Sequence, residues 1–506
     1  MDDPNPAKTS HVSSDDEKTD RLVDAKSQDV PIGSGKDAEI LPEIDHVKEN
    51  ALVRKLDMYI IPPTMLLYLV SFLDRVNIGN ARLYGLEEDL GLEGSQFQLA
   101  VSILFVTYVL LEVPCNLLIK KLRPSRFISF ICVGWGIVAT LTGVVQNFAG
   151  LIVCRLLLGA LESGLFPGMT IYLTLFYTKK ELALRVGFLF VSAAIAGSIG
   201  GLLAYGIGFM DGVAGQRGWR WILIIEGLPS VVLGVIVYFW LADGPETAYY
   251  LSSEERELMV IRKRRQIGHT TSGDEMHKED VRKAFKDWKV WLFALGQFGV
   301  DTMLYGYSTF LPTIIRGLGR WTTAQVQALT VPCYALGAIM YLIVAYFSDR
   351  YQKRFLAVLP FACVSIIGYG ILIADVSSGA HYFGCFMVAA GLYITVGIPL
   401  AWLPSNLPRY GKRTTATGMQ LTIGNCAGIM APFLYQTHEA PRYVRGHAVS
   451  LAMVAAAAIL YAIVYGYYKM ANKKRAAGEE DSLIAGKTEE EIAEMGDENP
   501  RFVYTH

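Results

Sequence analysis

Apolar runs of about 20 residues recur along the chain between about residue 57 and about residue 472, separated by short polar loops. A helix rises 1.5 Å per residue, so about 20 apolar residues cross the roughly 30 Å hydrocarbon core of a bilayer. The pattern therefore predicts transmembrane helices rather than a soluble core. We predict twelve spans, near 57–78, 96–119, 126–146, 149–177, 185–209, 220–241, 289–314, 323–347, 354–374, 381–403, 416–436 and 448–470.

The spans form two groups of six, separated by a polar stretch. In that stretch Ser252 and Glu255 have the spacing of a capping box, which predicts the start of a helix. We predict an all-α integral membrane protein with twelve transmembrane helices in two pseudo-symmetric six-helix bundles. The predicted segments are a disordered cytoplasmic tail at 1–55, an N-terminal bundle at 56–242, a cytoplasmic central loop at 243–287, a C-terminal bundle at 288–472 and a cytoplasmic tail at 473–506.

Basic residues predict the orientation of the chain in the membrane. One set of alternate short loops carries thirteen lysines and arginines, and the other set carries seven. Cytoplasmic loops are enriched in these residues, so both termini and the central loop are expected in the cytoplasm. The first 55 residues lack an apolar core like that of a secretory signal peptide, and we expect the first span to act as an uncleaved anchor.

Composition excludes several classes of function. The chain has a formal net charge of −1 and no basic stripe with interleaved aromatic residues, so we expect no nucleic-acid partner. Its seven cysteines fall in or beside apolar spans without CxxC spacing, which favours buried thiols over disulfides or metal ligands. No P-loop, metal cluster or catalytic set is present, so we expect no cofactor and no enzyme. We expect a monomer in the lipid bilayer.

Four charged residues lie within apolar spans: Asp74, Arg75, Arg155 and Glu162. A charge near the bilayer centre costs about 2.5–3.5 kcal/mol on insertion scales, so such residues usually face a bundle interior or a cavity. Arg155 and Glu162 are seven residues apart, nearly two turns, and share one helix face. Two acids and two bases on apolar helices indicate a site for an anion, coupled to a proton.

The chemistry of these side chains suggests roles. A guanidinium stays charged and its fork of donors matches a carboxylate, so Arg75 is the first candidate for binding the substrate anion. The alternative is an ion pair or helix cap formed with Asp74. Arg155 either holds Glu162 or lines the cavity, and a partner from another helix fits equally well. Asp74 and Glu162 are the proton candidates, because environment decides whether a buried carboxyl is charged.

Other polar and aromatic side chains are candidates for the cavity wall. Gln297, Asp301 and Tyr305 follow i, i+4, i+8 spacing and share one face of the seventh span. Tyr108, one turn before Glu112 on the second span, could donate a hydrogen bond to a substrate oxygen. We interpret Glu112 as an inter-helix pair or cap, and packing is the alternative for each aromatic candidate. Weaker candidates are Gln420, Asn425, Tyr393 and Trp402, and Glu226 is interpreted as a structural pair.

The chain resembles a known transporter family. Its Asp349-Arg350-x-x-x-Arg354 loop resembles the signature loop of the major facilitator superfamily, although the N-terminal copy has Asn116 in place of the usual glycine and lacks the aspartate. Residues 74–77 and 155–167 resemble motifs of the anion:cation symporter branch. More narrowly, Leu73-Asp-Arg-Val-Asn-Ile-Gly-Asn-Ala81 is similar to the fungal allantoate, nicotinate and pantothenate permeases. The resemblance covers about residues 50–470.

This resemblance implies a plasma-membrane transporter that moves a small organic anion with a proton by alternating access. It implies that Arg75 binds the anion and that Asp74 and Glu162 carry or gate the proton. The remaining expected roles are substrate binding by Tyr108, Arg155, Gln297, Tyr305 and Trp402, and gating by loop residues Lys120, Arg126, Asp349, Arg350 and Arg354.

Three functions remain open from the sequence. The first is proton-coupled uptake of a nicotinate-like monocarboxylate or a related vitamin or nitrogen compound. The second is export of an acidic fungal metabolite by the same fold, because direction follows gradients and coupling. The third is a nutrient sensor that does not transport.

Overall fold

The computed structural model describes residues 45–119, 122–267 and 277–506, and in this part the secondary structure is helical throughout. We number the twelve long helices α1 to α12. They are α1 His46–Arg82, α2 Gln96–Ile119, α3 Pro124–Thr142, α4 Phe148–Phe176, α5 Lys179–Gly208, α6 Gly218–Trp240, α7 Trp288–Gly317, α8 Thr323–Tyr351, α9 Arg354–Ile373, α10 Ser378–Ser405, α11 Tyr410–Asn425 and α12 Val444–Ala476. Shorter helices are Leu86–Asp89, Ser253–Ile267, Lys278–Lys286, Ala427–Met430 and Glu489–Glu494.

Nine of the long helices in the described residues have the length and apolar composition to cross a bilayer. Helix α2 carries a shorter apolar stretch, Gln96–Glu112. Helices α7 and α11 are more polar, because α7 contains Gln297 and Asp301 and α11 opens with Lys412 and Arg413. These three helices are not among the nine, yet each occupies a position where a span was predicted.

The eleventh span differs from its predicted range of 416–436. Helix α11 starts earlier, at Tyr410, and ends at Asn425, and the short helix Ala427–Met430 and a 3-10 turn continue the chain. A Cβ on Gly428 would clash with the Phe105 ring of α2, so glycine lets the backbone approach the other bundle. Pro432 has no backbone N–H, which favours the end of regular helix here.

The predicted tail at 1–55 is partly wrong, because α1 begins at His46. Asp45 caps this helix by accepting a hydrogen bond from the Val47 backbone N–H at 2.8 Å. Leu52 and Leu56 are fully buried, and this packing stabilises the first turns as helix. The rest of the predicted tail, residues 1–44, lies outside the described residues.

The central loop forms two helices that pack against different bundles. The predicted capping box is confirmed, since Ser252 N–H donates to Glu255 Oε2 at 2.7 Å and Glu255 N–H donates to Ser252 Oγ at 3.2 Å. Further along that helix, Arg262 pairs with Glu49 of α1 at 2.9 Å and with Glu181 of α5 at 2.5 Å. The second loop helix joins the C-terminal bundle through Asp280 and Arg409, 2.7 Å apart. We call the end of the molecule that carries this loop the linker face.

The segment 496–506 also packs at the linker face, against the C-terminal bundle. Asp497 pairs with Lys289 of α7 at 2.8 Å and with Lys412 of α11 at 2.7 Å. The Tyr504 ring stacks on Tyr468 of α12, with centroids 4.4 Å apart. The sequence indicated only a tail here, and the structure shows a segment docked on several helices.

The two bundles contact each other near the opposite face. Arg82 at the end of α1 donates to Thr437 Oγ1 at 3.0 Å, and Gln98 of α2 donates to the Tyr435 carbonyl at 3.2 Å. Deeper in the molecule, Ser102 Oγ donates to the Ile429 carbonyl at 2.8 Å. These contacts close the opposite face above a charged cavity.

Candidate functional site

An ion pair lies in the middle of the N-terminal bundle. Arg75 Nε of α1 is 2.7 Å from Glu162 Oε2 of α4, and Ser71 Oγ donates to Glu162 Oε1 at 3.0 Å. The Arg75 side chain is 8% exposed and that of Glu162 is fully buried. The guanidinium also lies 4.7 Å from the centroid of the Tyr108 ring, a cation–π distance. Glu162 therefore compensates the charge of Arg75.

Arg155 occupies the same region without a carboxylate in direct contact. Its side chain lines a cavity with Arg75, its Nε has no hydrogen-bond partner, and the residue is 2% exposed. No carboxylate of the described residues lies within 4.0 Å of its guanidinium. The interpretation that Arg155 holds Glu162 is thus not what the structure shows, because Arg75 does so. A buried, unpaired guanidinium favours an anion from outside the protein.

The cavity lies between the two bundles. Phe105 of α2 and Tyr305 of α7 bring their rings to a centroid distance of 4.4 Å across the bundle boundary. The walls are mostly apolar and aromatic, and the two guanidiniums are the charged groups among the lining residues. In this state the cavity measures only about 10 Å³, room for roughly one water molecule, but its chemistry, cationic groups beside an apolar wall, matches a small anion with an apolar body. The lining residues are Phe72, Arg75, Val76, Val101, Leu104, Phe105, Arg155, Tyr305, Ser308 and Thr309.

Asp74 points to a different environment from its neighbour Arg75. Trp135 Nε1 of α3 donates to Asp74 Oδ2 at 3.2 Å, and Ser230 Oγ of α6 donates to the same oxygen at 3.0 Å. Adjacent residues of a helix project about 100° apart, so one faces the cavity and the other the bundle interior. The buried Glu226 lies near this cluster, with Asn77 and Asp74 as its polar neighbours. The pairing of Asp74 with Arg75 is not seen.

The polar face of α7 joins that helix to α11. Gln297 donates to Asp301 Oδ1 at 2.8 Å, and Gln420 of α11 donates to Gln297 Oε1 at 3.2 Å. Tyr305 Oη donates to Asn425 Oδ1 at 2.6 Å. Of the predicted face, the structure brings Tyr305 to the cavity and leaves Gln297 within the C-terminal bundle.

Trp402 lies away from the cavity, which corrects its expected role in substrate binding. The residue is fully buried, and its indole N–H donates to the Thr505 carbonyl at 2.8 Å. Its ring packs edge-on against Phe293 with centroids 5.0 Å apart. Packing, the alternative for this aromatic residue, is what the structure shows.

The expected gating loop of the second half has one ion pair, between Asp349 and Arg354. Arg350 is exposed and donates to Tyr346 Oη at 3.3 Å. In the first half Arg126 is exposed and Lys120 lies outside the described residues. The Arg354 backbone N–H also donates to the His506 carbonyl at 3.1 Å, which links this loop to the docked segment.

The interpretation of Glu112 as an inter-helix pair agrees with the structure, and its partner lies in the other bundle. Glu112 of α2 accepts a hydrogen bond from Thr422 Oγ1 of α11 at 3.1 Å, so it reaches the other bundle. It lies one turn from Tyr108 on the same helix face, a spacing that could have indicated a cavity position. Among the described residues no group of three His, Cys, Asp or Glu is placed to hold a metal ion.

Two bundles of six helices around a charged cavity, closed on one face, are the architecture of a secondary membrane transporter. The sequence model of the Major Facilitator Superfamily matches residues 64–432. An uncharacterized transporter of Schizosaccharomyces pombe is 40% identical over 462 residues, 90% of each chain. The high-affinity nicotinic acid transporter of Saccharomyces cerevisiae is 34% identical over 471 residues, which cover 93% of this chain and 87% of that protein. The chain belongs to the Major Facilitator Superfamily, a family of transporters rather than enzymes.

A solved structure shows the same fold. The bacterial homolog of the human lysosomal transporter Spinster, in an inward-facing and occupied conformation, matches with a TM-score of 0.61 at 16% identity. The match covers 83% of this chain and 97% of that one. The predicted all-α membrane fold is confirmed, and the protein is a multi-pass integral membrane protein.

Proposed function

We propose that this transporter takes up a small organic anion, a nicotinate-like monocarboxylate or a related vitamin or nitrogen compound, together with a proton. The observation that carries the proposal is the unpaired guanidinium of Arg155 beside the Arg75–Glu162 pair in the cavity between the bundles. A relative that is a nicotinic acid transporter supports a monocarboxylate as cargo.

The ion pair suggests how anion and proton are coupled. Glu162 can hold either Arg75 or a proton, and a protonated Glu162 leaves the guanidinium free for the anion. When the anion and the proton are both bound, the charges in the site are compensated and the bundles can reorient. When neither ligand is bound, the Arg75–Glu162 ion pair stabilises the empty site. Binding of one ligand therefore favours binding of the other, as symport of the two requires.

Asp74 is proposed as the second proton site. Its bonds from Trp135 and Ser230 connect α1 to α3 and α6, and it is adjacent to Arg75 in sequence. A proton on Asp74 would change these bonds and so the position of α1 relative to its bundle. The Asp349–Arg354 pair and the basic residues Lys120, Arg126 and Arg350 are proposed to gate the linker face.

The membrane and orientation are part of the proposal. The excess of lysine and arginine in the loops on the linker face supports a cytoplasmic location for that face and both termini. The plasma membrane fits an uptake function. A monomer is proposed as the functional unit.

Uptake measurements test the proposal. Transporter-deficient yeast expressing the protein would be given labelled nicotinate, pantothenate or allantoate at acid and neutral external pH, with and without an uncoupler. We expect saturable, acid-stimulated, uncoupler-sensitive uptake of one anion, and its loss in Arg155→Gln. The exposed Glu93→Gln is the matched control. Normal uptake by Arg155→Gln would contradict the assigned site, and export without uptake from preloaded cells would contradict the direction.

A further inference from the structure

Glu112 is a buried carboxylate at the boundary between the bundles. The residue is 3% exposed and accepts a hydrogen bond from Thr422 of α11. Other hydrogen bonds between the bundles, such as those of Gln98 and Ser102, end on backbone carbonyls nearer the opposite face. Glu112 thus places an acid at the contact between the two halves of the transporter, whereas Glu162 is paired within the N-terminal bundle.

The position of Glu112 relative to the guanidinium of Arg75 is defined by Tyr108. Arg75 lies over the Tyr108 ring at 4.7 Å, and Glu112 follows Tyr108 by one helical turn, a rise of about 6 Å. The guanidinium of Arg75 and the carboxylate of Glu112 are thus both neighbours of the Tyr108 side chain.

A polar chain connects Glu112 to the cavity. Asn425 lies beside the Glu112 carboxylate and accepts a hydrogen bond from Tyr305 Oη at 2.6 Å. Tyr305 in turn lines the cavity with Arg155. The carboxylate thus belongs to the same polar surface as the proposed anion site.

The charge of Glu112 is not explained by an ion pair. Within the described residues no lysine or arginine lies within 4.0 Å of its carboxylate. The neighbouring donors, Thr422 and Asn425, are both neutral, and a charged buried carboxylate costs several kcal/mol of desolvation when it is left without a cation. A positively charged or N–H donor group of a ligand would complement it.

We propose that Glu112 determines specificity by accepting a hydrogen bond from a nitrogen of the substrate. The preferred substrates are then small anions that also carry an N–H or a protonated ring nitrogen, such as pyridine carboxylates, and plain carboxylates are poor substrates. The inference rests on the proposed transport of a small organic anion. It extends that proposal to a substrate that carries both a carboxylate and a nitrogen donor.

Paired substrates test the inference. Uptake of labelled pyridine-3-carboxylate and of benzoate, which lacks the ring nitrogen, would be measured in proteoliposomes containing wild-type protein, Glu112→Gln, Glu112→Asp or Thr422→Val. We expect the wild type to favour pyridine-3-carboxylate at least tenfold in kcat/KM. Glu112→Gln should reduce that preference about tenfold by raising KM for pyridine-3-carboxylate, because a charge-assisted bond becomes a neutral one. Retained benzoate uptake would show that the variant is folded, and Glu112→Asp should restore part of the preference.

The outcomes separate the two proposals. If Glu112 only holds Thr422, then Glu112→Gln and Thr422→Val change both substrates equally and the inference is wrong. If wild-type protein transports both anions equally well, anion transport stands and the inference is wrong. If it transports neither, nor any other organic anion, the proposed function fails and the inference fails with it.

Discussion

A role of Glu162 in proton coupling can be distinguished from a structural role, because its hydrogen-bond partners are only Ser71 and Arg75 among the described residues. Glu162→Gln keeps an acceptor for Ser71 and removes the charge that holds Arg75. We predict that net uptake loses its stimulation by external acid, while exchange of internal for external anion, which needs no net proton movement, stays within about fivefold of wild type. Both are measured in proteoliposomes with an imposed pH gradient. Equal loss of exchange and net uptake would mean that Glu162 is only structural.

Arg155 should bind the anion directly, since its guanidinium lines the cavity without a carboxylate partner. Arg155→Gln should raise KM about 10- to 150-fold, the equivalent of a charge-assisted hydrogen bond of about 1.5–3 kcal/mol. Arg155→Lys should be intermediate, because it keeps the charge and loses the fork of donors. The measurement is the concentration dependence of uptake at acid pH. An unchanged KM in both variants would assign the anion to Arg75 alone.

The sequence could identify the charged residues of the site but not their partners. Charge in an apolar span is expensive, which was enough to select Arg75, Arg155 and Glu162. Which arginine meets Glu162 depends on how α1 is rotated against α4, and no pattern within one helix contains that information. The same limit explains Trp402, whose partner, Thr505, is distant in sequence.

At the scale of elements, the segment 496–506 is the largest addition to what the sequence predicted. Its composition is polar and its anchoring residues, Asp497 and Tyr504, are single positions without periodicity. Their partners, Lys289, Lys412 and Tyr468, come from three helices far apart in the chain. Periodicity predicts long helices well, and it misses short segments that are held by a few contacts distant in sequence.

Asp497 gives this segment a defined pH dependence. Burial alone would raise the pKa of Asp497, but Lys289 and Lys412 outweigh burial and hold the pKa below its ordinary value. Because the unfolded pKa is about 3.9, the stabilisation is fully present above about pH 4 and is lost as the pH falls through the lower folded pKa.

We predict that Asp497→Asn lowers the thermal unfolding temperature in detergent by several degrees at pH 7. Breaking a buried ion pair costs about 3–5 kcal/mol, and the remaining pair of Asp287 with Lys412, 2.7 Å apart, should reduce that loss. The difference in unfolding temperature between Asp497→Asn and wild type should persist down to about pH 4 and become smaller below it. Glu498→Gln, an exposed neighbour, is the control and should unfold like wild type. If this difference in unfolding temperature disappeared between pH 5 and 7, the stabilising role assigned to the ionised Asp497 would be wrong.

At the scale of the whole molecule, the contacts at the opposite face define one state of the transport cycle. The Arg82 guanidinium contacts both bundles, since it pairs with Glu87 at 3.1 Å, lies over Phe97 at 4.5 Å and donates to Thr437. Alternating access requires these contacts to separate. The sequence predicted two bundles from two groups of six apolar spans separated by a polar stretch, whereas the state of the transport cycle follows only from the contacts between the bundles.

Gly79 provides a direct test of that state. A Cβ at this position of α1 would clash with the Thr309 backbone carbonyl of α7, and a backbone atom in a packed helix cannot move aside. Gly79→Ala should therefore favour a molecule in which the opposite face is open. Spin labels at Glu88 and His438, exposed positions near the opposite face on the two sides of the boundary, would report the separation.

We predict that Gly79→Ala lengthens the distance between these labels by several ångströms and slows uptake, because the closed state is reached less often. Gly206→Ala makes the same chemical change in α5 where a Cβ would meet no atom within 4 Å, so it should keep the wild-type distance and rate. An unchanged distance in Gly79→Ala, with uptake intact, would mean that α1 and α7 do not form this contact in the membrane. A longer label distance in both variants would instead indicate a general loss of helix packing. Only a longer distance in Gly79→Ala than in Gly206→Ala supports the contact of α1 with α7 at Gly79.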